Sequence, residues 1–510
     1  MLSLLRGLLG RRVLLVLLAT GVVAAMLTSP VAQARPSAPT DAKAQPSGRQ
    51  VQAGRALDRV QKVFAGQAPR RDATLALRDL NLLRSSLPTA ERARAATYFA
   101  RPSVPNAQVR CWSTFCIHWS PTMVTTDDVS PANGLSDYID LVAKTLSDVQ
   151  GRYTSAGYRA VKKDGTRGGN GKPDIYIQNL GSQGLYGYCN TDDLIPRTGP
   201  YDTSAYCALD NDYSPSEFPT NTPSENLQVT VAHEYFHATQ FAYDYLEDSW
   251  FLEATATWAE DELYDDVDDN LQYLPSGPLG APKLSLDLFG GSHHYGDWIF
   301  FRYLTERFPA LRGGLPSLIL DMFIKADASK GGADQYSAQA ISAVLKERGT
   351  SFAKMFTKFA DANLDPGANY EEGAANDYPV APYRTFGHSQ GWYTTKLDHM
   401  SSASMYFEPS DATTQELKLT VDLASKSTSP AAIVSVHLVG GGVQTSQIPL
   451  NQNGNGSKVF PFAQSTVSWV DFTLVNASAR FDPCWDNSPY SCSGKPVDEN
   501  LVAKIKGAVR

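Results

Sequence analysis

From Leu135 to Tyr153 apolar residues recur at helical spacing (Leu135, Tyr138, Leu141, Val142, Leu146, Val149), which predicts an amphipathic helix. Asp174-Ile175-Tyr176-Ile177 alternates as a strand over 173–178. Thr222-Pro223-Ser224-Glu225 then reads as a capping box with proline at the first helical position. The helix it opens carries Val229, Val231, Ala232, Tyr235, Phe236, Ala238, Phe241 and Ala242, leaving little polar face, so it is predicted to be buried on all sides. Further helical stretches follow near 292–308, 314–325, 332–347 and 351–364. From about 401 the pattern changes to short alternating runs such as 416–421, 433–438 and 467–474, separated by turn residues like Asn453-Gly454-Asn455-Gly456. Strands first and helices afterwards predict an α+β unit over 106–400 with a cleft between its halves. A small C-terminal β-sandwich with a disulfide loop is expected over 401–510.

The N-terminus has a different character. Arg6, Arg11 and Arg12 precede the apolar run Val13–Leu27, and Ala32-Gln33-Ala34 offers a small-x-small cleavage site, so residues 1–34 read as a signal peptide. About 15 apolar residues is short for a membrane span of about 20, and no stable anchor is expected after cleavage. Residues 35–50 are rich in Pro, Ala, Ser and Gln. Leu75, Leu77, Leu80, Leu82, Leu83 and Leu87, interspersed with arginine, then predict helices that end before Pro102 and Pro105. Residues 1–105 hold 16 Lys/Arg and 5 Asp/Glu, a balance of +11, so the remainder carries −19 of the net −8. That asymmetry predicts a basic linker and helical prosegment over 35–105 packed on its own acidic body. Nucleic acid is not an expected partner, because no aromatic interleaving or reader motif accompanies the basic region. Six cysteines in three local couples (111/116, 189/207, 484/492) fit disulfides in an oxidising compartment, and the protein is expected to be secreted.

Chemistry concentrates in His233-Glu234-Tyr235-Phe236-His237. Residues i and i+4 of a helix share a face, so His233 and His237 can offer two imidazole nitrogens to one zinc ion. Glu234 then reaches a water on that ion. On a wholly apolar helix these three polar side chains would be buried, and a metal ion supplies the partner that burial demands. A catalytic zinc takes three protein ligands. The metzincin continuation is excluded, since Gln240 and Tyr243 stand where glycine and histidine would be required. Glu253, in Trp250-Phe251-Leu252-Glu253-Ala254-Thr255-Ala256, is the candidate third ligand. Glu260, one heptad later, is its rival, or a partner for a histidine Nδ1–H. The loop Asp164–Asp174 and the acidic run Glu260–Asp269 invite a calcium ion without the EF-hand spacing. His118, His388, His399 and His437 read as structural or exposed.

With these two segments the chain resembles the gluzincin zinc peptidases, the clan of thermolysin and its aminopeptidase relatives. It is similar above all to secreted bacterial metallopeptidases with an HEYFH-type core. The resemblance implies a zincin-like catalytic domain, His233, His237 and Glu253 as zinc ligands, and Glu234 as general base. It also implies an oxyanion donor downstream, for which Tyr295, His293 and His294 are candidates beside helix-start packing. Strand 173–178 would be the edge along which a protein or peptide substrate pairs. The 15 residues between His237 and Glu253 are fewer than the resemblance leads one to expect, Ala254 stands in place of glycine, and no GxMEN-like segment is present. The expected function is therefore secreted, zinc-dependent peptide hydrolysis. The alternatives are a binding or adhesion protein on the same scaffold, or a zinc hydrolase of a non-peptide amide such as a cell-wall component.

Overall fold

The computed structural model describes residues 47–67, 73–196, 198–409 and 415–510; the expected signal peptide lies outside them. Three helices come first, α1 (Gly48–Phe64), α2 (Ala73–Leu83) and α3 (Thr89–Phe99). A hairpin of β1 (Gln108–Cys111) and β2 (Cys116–Trp119), closed by a Cys111–Cys116 disulfide, leads to α4 (Asp137–Ala156). Strands β3 (Asp174–Gln178), β4 (Gly187–Asn190) and β5 (Tyr206–Asp210) complete a sheet of order β1-β2-β3-β5-β4. β2, β3 and β5 run parallel, while β4 is antiparallel to β5 and forms one edge, β1 the other. The 173–178 strand therefore lies in the middle of the sheet, with both its sides already paired. A Cys189–Cys207 disulfide joins β4 to β5 at directly opposed positions.

The period-2 alternation of the strands decides what each face meets. Ile117, Ile175, Ile177 and Leu209 face α4 and the next helix, α5 (Pro223–Phe241), in the main core. Each such fully buried side chain contributes about 1.5–3 kcal/mol. The opposite face presents Tyr176, Tyr188 and Tyr206 to Leu57, Val60, Leu77 and Leu80 of α1 and α2. α5 starts as its capping box demands: Thr222 Oγ1 accepts from Glu225 N, and the Glu225 carboxylate accepts from Thr222 N at 2.8 Å. It is followed by α6 (Ser249–Leu263) and by a helical half made of α7 (His293–Gly296), α8 (Trp298–Arg307), α9 (Ser317–Ala326), α10 (Ser337–Glu347) and α11 (Phe352–Ala362). Two-residue strands β6 (Leu311–Arg312) and β7 (Leu315–Pro316) form a turn between α8 and α9.

The C-terminal sandwich has its own core of Leu417, Leu419, Val434, Val436, Phe472 and Ile505. It begins before 401, because β8 (Tyr383–Thr385) and β9 (Gln390–Leu397) already belong to it. With β10 (Ser401–Phe407), β11 (Glu416–Asp422), β12 (Pro430–Leu438), β13 (Val443–Gln447), β14 (Asn455–Pro461), β15 (Val467–Asn476) and β16 (Leu501–Val509) they form two sheets, β13-β12-β15-β10-β8 and β14-β11-β16-β9. The loop closed by Cys484–Cys492 returns to the helical half, where Ser491 N donates to Asp287 and Trp250 Nε1 donates to Ser491 Oγ. The fold is thus α+β with three disulfides, as an oxidising compartment permits. Among the described residues no helix is long and apolar enough to cross a membrane.

Candidate metal centre

α5 and α6 pack against each other and bring His233, His237 and Glu253 to one point. His237 Nε2 lies 3.0 Å from His233 Nε2, and Glu253 Oε2 lies 3.1 Å from His233 Nε2 and 3.5 Å from His237 Nε2. The other nitrogen of each ring is anchored. His233 Nδ1 meets Glu260 Oε1 at 2.6 Å, and His237 Nδ1 meets Gln240 Oε1 at 2.7 Å. The Gln240 amide is oriented by its own donations, to the Leu252 carbonyl (2.9 Å) and Thr255 Oγ1 (3.0 Å), so its oxygen faces the histidine. Both Nδ1 atoms therefore donate, and both Nε2 lone pairs point inward.

Two imidazole lone pairs and a carboxylate then converge with no hydrogen among them. Glu253 Oε1 is also buried without a hydrogen-bond partner. Such a cluster of acceptors repels itself unless a cation joins it. One route is a proton on His233: burial opposes its charge, but Glu253 and Glu260 lift its pKa to about 10. Burial alone would raise Glu253, and the adjacent His237 and His233 outweigh it and hold this carboxyl well below the usual range. A proton bridges two acceptors, whereas a divalent ion satisfies three at once. The N,N,O donor set fits a tetrahedral metal with one position left over. Glu260 takes the place of a carboxylate behind a ligand histidine, and Gln240 plays that part for His237.

Glu234 lies one residue beyond His233, at the side of the cluster facing β4. Gly187 permits this closeness: a Cβ there would come within 3.3 Å of Glu234 Cγ and 3.0 Å of the Ala208 carbonyl. Glu234 Oε2 accepts a hydrogen bond of 2.8 Å from Thr74 Oγ1 of α2. The Tyr295 ring lies 6.3 Å from the His233 ring, centroid to centroid, and packs on Tyr273. His293 has both ring nitrogens at backbone carbonyls, Ser276 O (2.7 Å) and Ser285 O (3.0 Å), and His294 packs on Phe289. Of the three downstream candidates, Tyr295 is the one whose ring packs near a ring of the cluster, that of His233. Thr74 and Gln240 went unrecognised as site residues in the sequence. Gln240 had a signal, a polar side chain on an apolar helix one turn after His237; Thr74 had none, lying 160 positions from Glu234.

In the acidic stretches guanidinium groups pair with the carboxylates. Arg101 pairs with Asp164, Asp174 and Asp192. Arg302 pairs with Asp261, Glu262 and Asp265, so the Asp261–Asp265–Glu372 cluster already holds a cation. In the cluster Asp210–Asp212–Glu217, Asp210 is occupied by the amides of Leu180, Gly181 and Tyr213. His118 pairs with Asp174, His437 with Asp471, and His399 with Asp287 and Glu499, while His388 is exposed.

Comparison of the sequence with protein-family models and with curated proteins gives no match. Among solved structures, the chain is similar to the pre-peptidase C-terminal domain of a Bacillus anthracis collagenase (8% identity, TM-score 0.17, covering 25% of this chain and 95% of that one). It is also similar to the Yersinia pseudotuberculosis-derived mitogen (12% identity, TM-score 0.15, covering 24% and 85%). A GH115 4-O-methyl-α-glucuronidase matches over 56% of this chain and 38% of its own, at 7% identity and TM-score 0.13. Likenesses at this level carry no argument about fold or function.

Proposed function

We propose that this chain is a secreted zinc-dependent peptidase of gluzincin type, with a zincin-like catalytic region built on the β1–β5 sheet, α4, α5 and α6. The observation that carries the reading is the convergence of His233 Nε2, His237 Nε2 and Glu253 Oε2 at one point, with Glu234 the next residue after His233 on the same helix. These three side chains would hold a zinc ion, which would supply Lewis acidity to a water molecule and to the scissile carbonyl. Glu234, free of any direct part in the ligand set, accepts the proton of the attacking water and delivers it to the departing amine. The Tyr295 hydroxyl donates to the oxyanion that develops on the carbonyl oxygen. Glu260 and Gln240 keep both imidazoles in the Nδ1–H form, so that their Nε2 lone pairs remain available. An extended substrate pairs with β4, the antiparallel edge strand, whose outward amides lie beside Glu234.

The function is tested by casein hydrolysis with zinc-loaded protein recovered from culture medium. Loss of hydrolysis in Glu234→Gln, with zinc content unchanged, supports the reading. Equal hydrolysis by the variant overturns it.

A further inference from the structure

His233, Glu234, His237, Glu253 and Tyr295 are all between 0 and 3% exposed, so no peptide reaches them in the conformation observed. The element lying across their approach is α2. Thr74, in its first turn, donates to Glu234 Oε2 and accepts the backbone N–H of Cys189 at 2.9 Å. It thus engages both the proposed general base and the outward amide of edge strand β4, which a substrate carbonyl would take. One turn on, Arg78 donates to the Glu247 carbonyl (2.6 Å) and to Ser249 Oγ (2.5 Å), and Asn81 donates to the Tyr245 hydroxyl (3.2 Å). Arg59 of α1 stacks on Phe289. α2 therefore bridges the edge strand on one side and the Tyr245–Ser249 turn on the other, along the path an extended substrate would follow.

The layer to which α2 belongs has the construction of a separable body. Leu57, Val60, Val63, Leu77, Leu80 and Phe99 of this layer pack in a cluster, separate from the main core, that they share with Leu180, Leu185, Ala208 and the tyrosines of the sheet side. The sheet face beneath it presents Tyr176, Tyr188 and Tyr206, whose rings tolerate water far better than the Ile117, Ile175 and Ile177 of the other face. Residues 47–105 carry eleven Lys/Arg against four Asp/Glu, a balance of +7, and face a body of balance −19. At the end of the layer Arg101 is clasped by Asp164, Asp174 and Asp192, and the chain beyond it, from Pro105 to Gln108, is exposed. We infer that the helical segment 47–99 is a releasable cover that keeps the site latent, with Thr74 standing in for substrate at both Glu234 and the Cys189 amide.

This inference rests on the peptidase reading, and the test separates the two. A recognition sequence for a sequence-specific protease is inserted between Pro105 and Asn106 of the full chain. The zinc-loaded protein is compared uncut, cut and stripped of the segment by 1 M salt, and after re-addition of the segment. The readouts are zinc release to 1,10-phenanthroline, hydrogen exchange at the Cys189 amide, and casein hydrolysis. The expected result is a folded remnant in which zinc release and amide exchange each rise at least tenfold, hydrolysis rises with them, and re-added segment reverses all three. Unchanged rates overturn the cover, as does a remnant that unfolds when the segment leaves, which would make 47–99 a fixed layer. Faster zinc release and exchange with no hydrolysis in either form uphold the cover and overturn the peptidase reading. Hydrolysis by the uncut chain at the rate of the cut one upholds the peptidase and overturns the cover.

Discussion

Glu260 Oε1 lies 2.6 Å from Nδ1 of His233, while Glu253, seven residues earlier on the same helix, reaches Nε2 of the same ring. One histidine thus stands between two carboxylates, each at a different ring nitrogen, and under the proposed function only Glu253 is a zinc ligand. The first prediction is that Glu253→Ala loses zinc, whereas Glu260→Ala keeps it with affinity lowered about 10–100-fold. Competition with a fluorescent zinc chelator measures both, and the reverse ranking would mean that the two roles are exchanged.

Gln240 joins His237, a proposed zinc ligand, to the backbone and Thr255 of the helix that carries Glu253. Gln240→Leu leaves the buried His237 Nδ1–H unpaired and removes a donor from the Leu252 carbonyl and Thr255 Oγ1, which costs about 1–3 kcal/mol. Urea unfolding should show that loss, and zinc affinity should fall with it. A fall in stability with zinc affinity intact would confine Gln240 to packing.

Tyr295→Phe removes one hydroxyl and little volume. If that hydroxyl serves the oxyanion, kcat on a peptide substrate falls about 10²–10³-fold while KM stays nearly constant. This is measured in the form freed of residues 47–99. An unchanged kcat would remove Tyr295 from the catalytic set and return its ring to packing on Tyr273.

His399 ties the sandwich to the helical half through Asp287 and Glu499. Burial opposes its charge, yet the two carboxylates raise its pKa to about 10. The folded value lies above the unfolded value of about 6.5, so the pair's contribution is fully present below pH 6.5 and is lost as the pH rises through 10. Denaturant unfolding between pH 6 and 10.5 should therefore show stability falling by a few kcal/mol, on the order expected for such a shift. His399→Gln should flatten that decline. A decline of the same size in the variant would place its origin elsewhere.

Much of the site could be read from the sequence because its determinants are local. Helical spacing puts His233 and His237 on one face, a short turn returns Glu253 to them, and the capping box at Thr222 fixes where the helix begins. The local cysteine couples became disulfides for the same reason. What escaped is non-local. Strand 173–178, expected at an edge, lies between β2 and β5, and its own residues say nothing about its partners. The Thr74–Glu234 bond joins positions 160 apart, and no pattern within either segment announces it. The sandwich begins earlier than the shift in composition suggests, because β8 and β9 lie in the transition between the two patterns.

The account stands on one cluster of acceptors, and zinc stoichiometry tests it most directly. Native mass spectrometry of the full chain, after refolding with zinc and dialysis, should show one ion per chain. X-ray absorption should place two nitrogen ligands at about 2.0–2.1 Å and an oxygen ligand at about 2.0–2.2 Å. His237→Ala should bind none. A wild-type chain that emerges free of metal, or that binds zinc equally well after His237→Ala, would contradict the account.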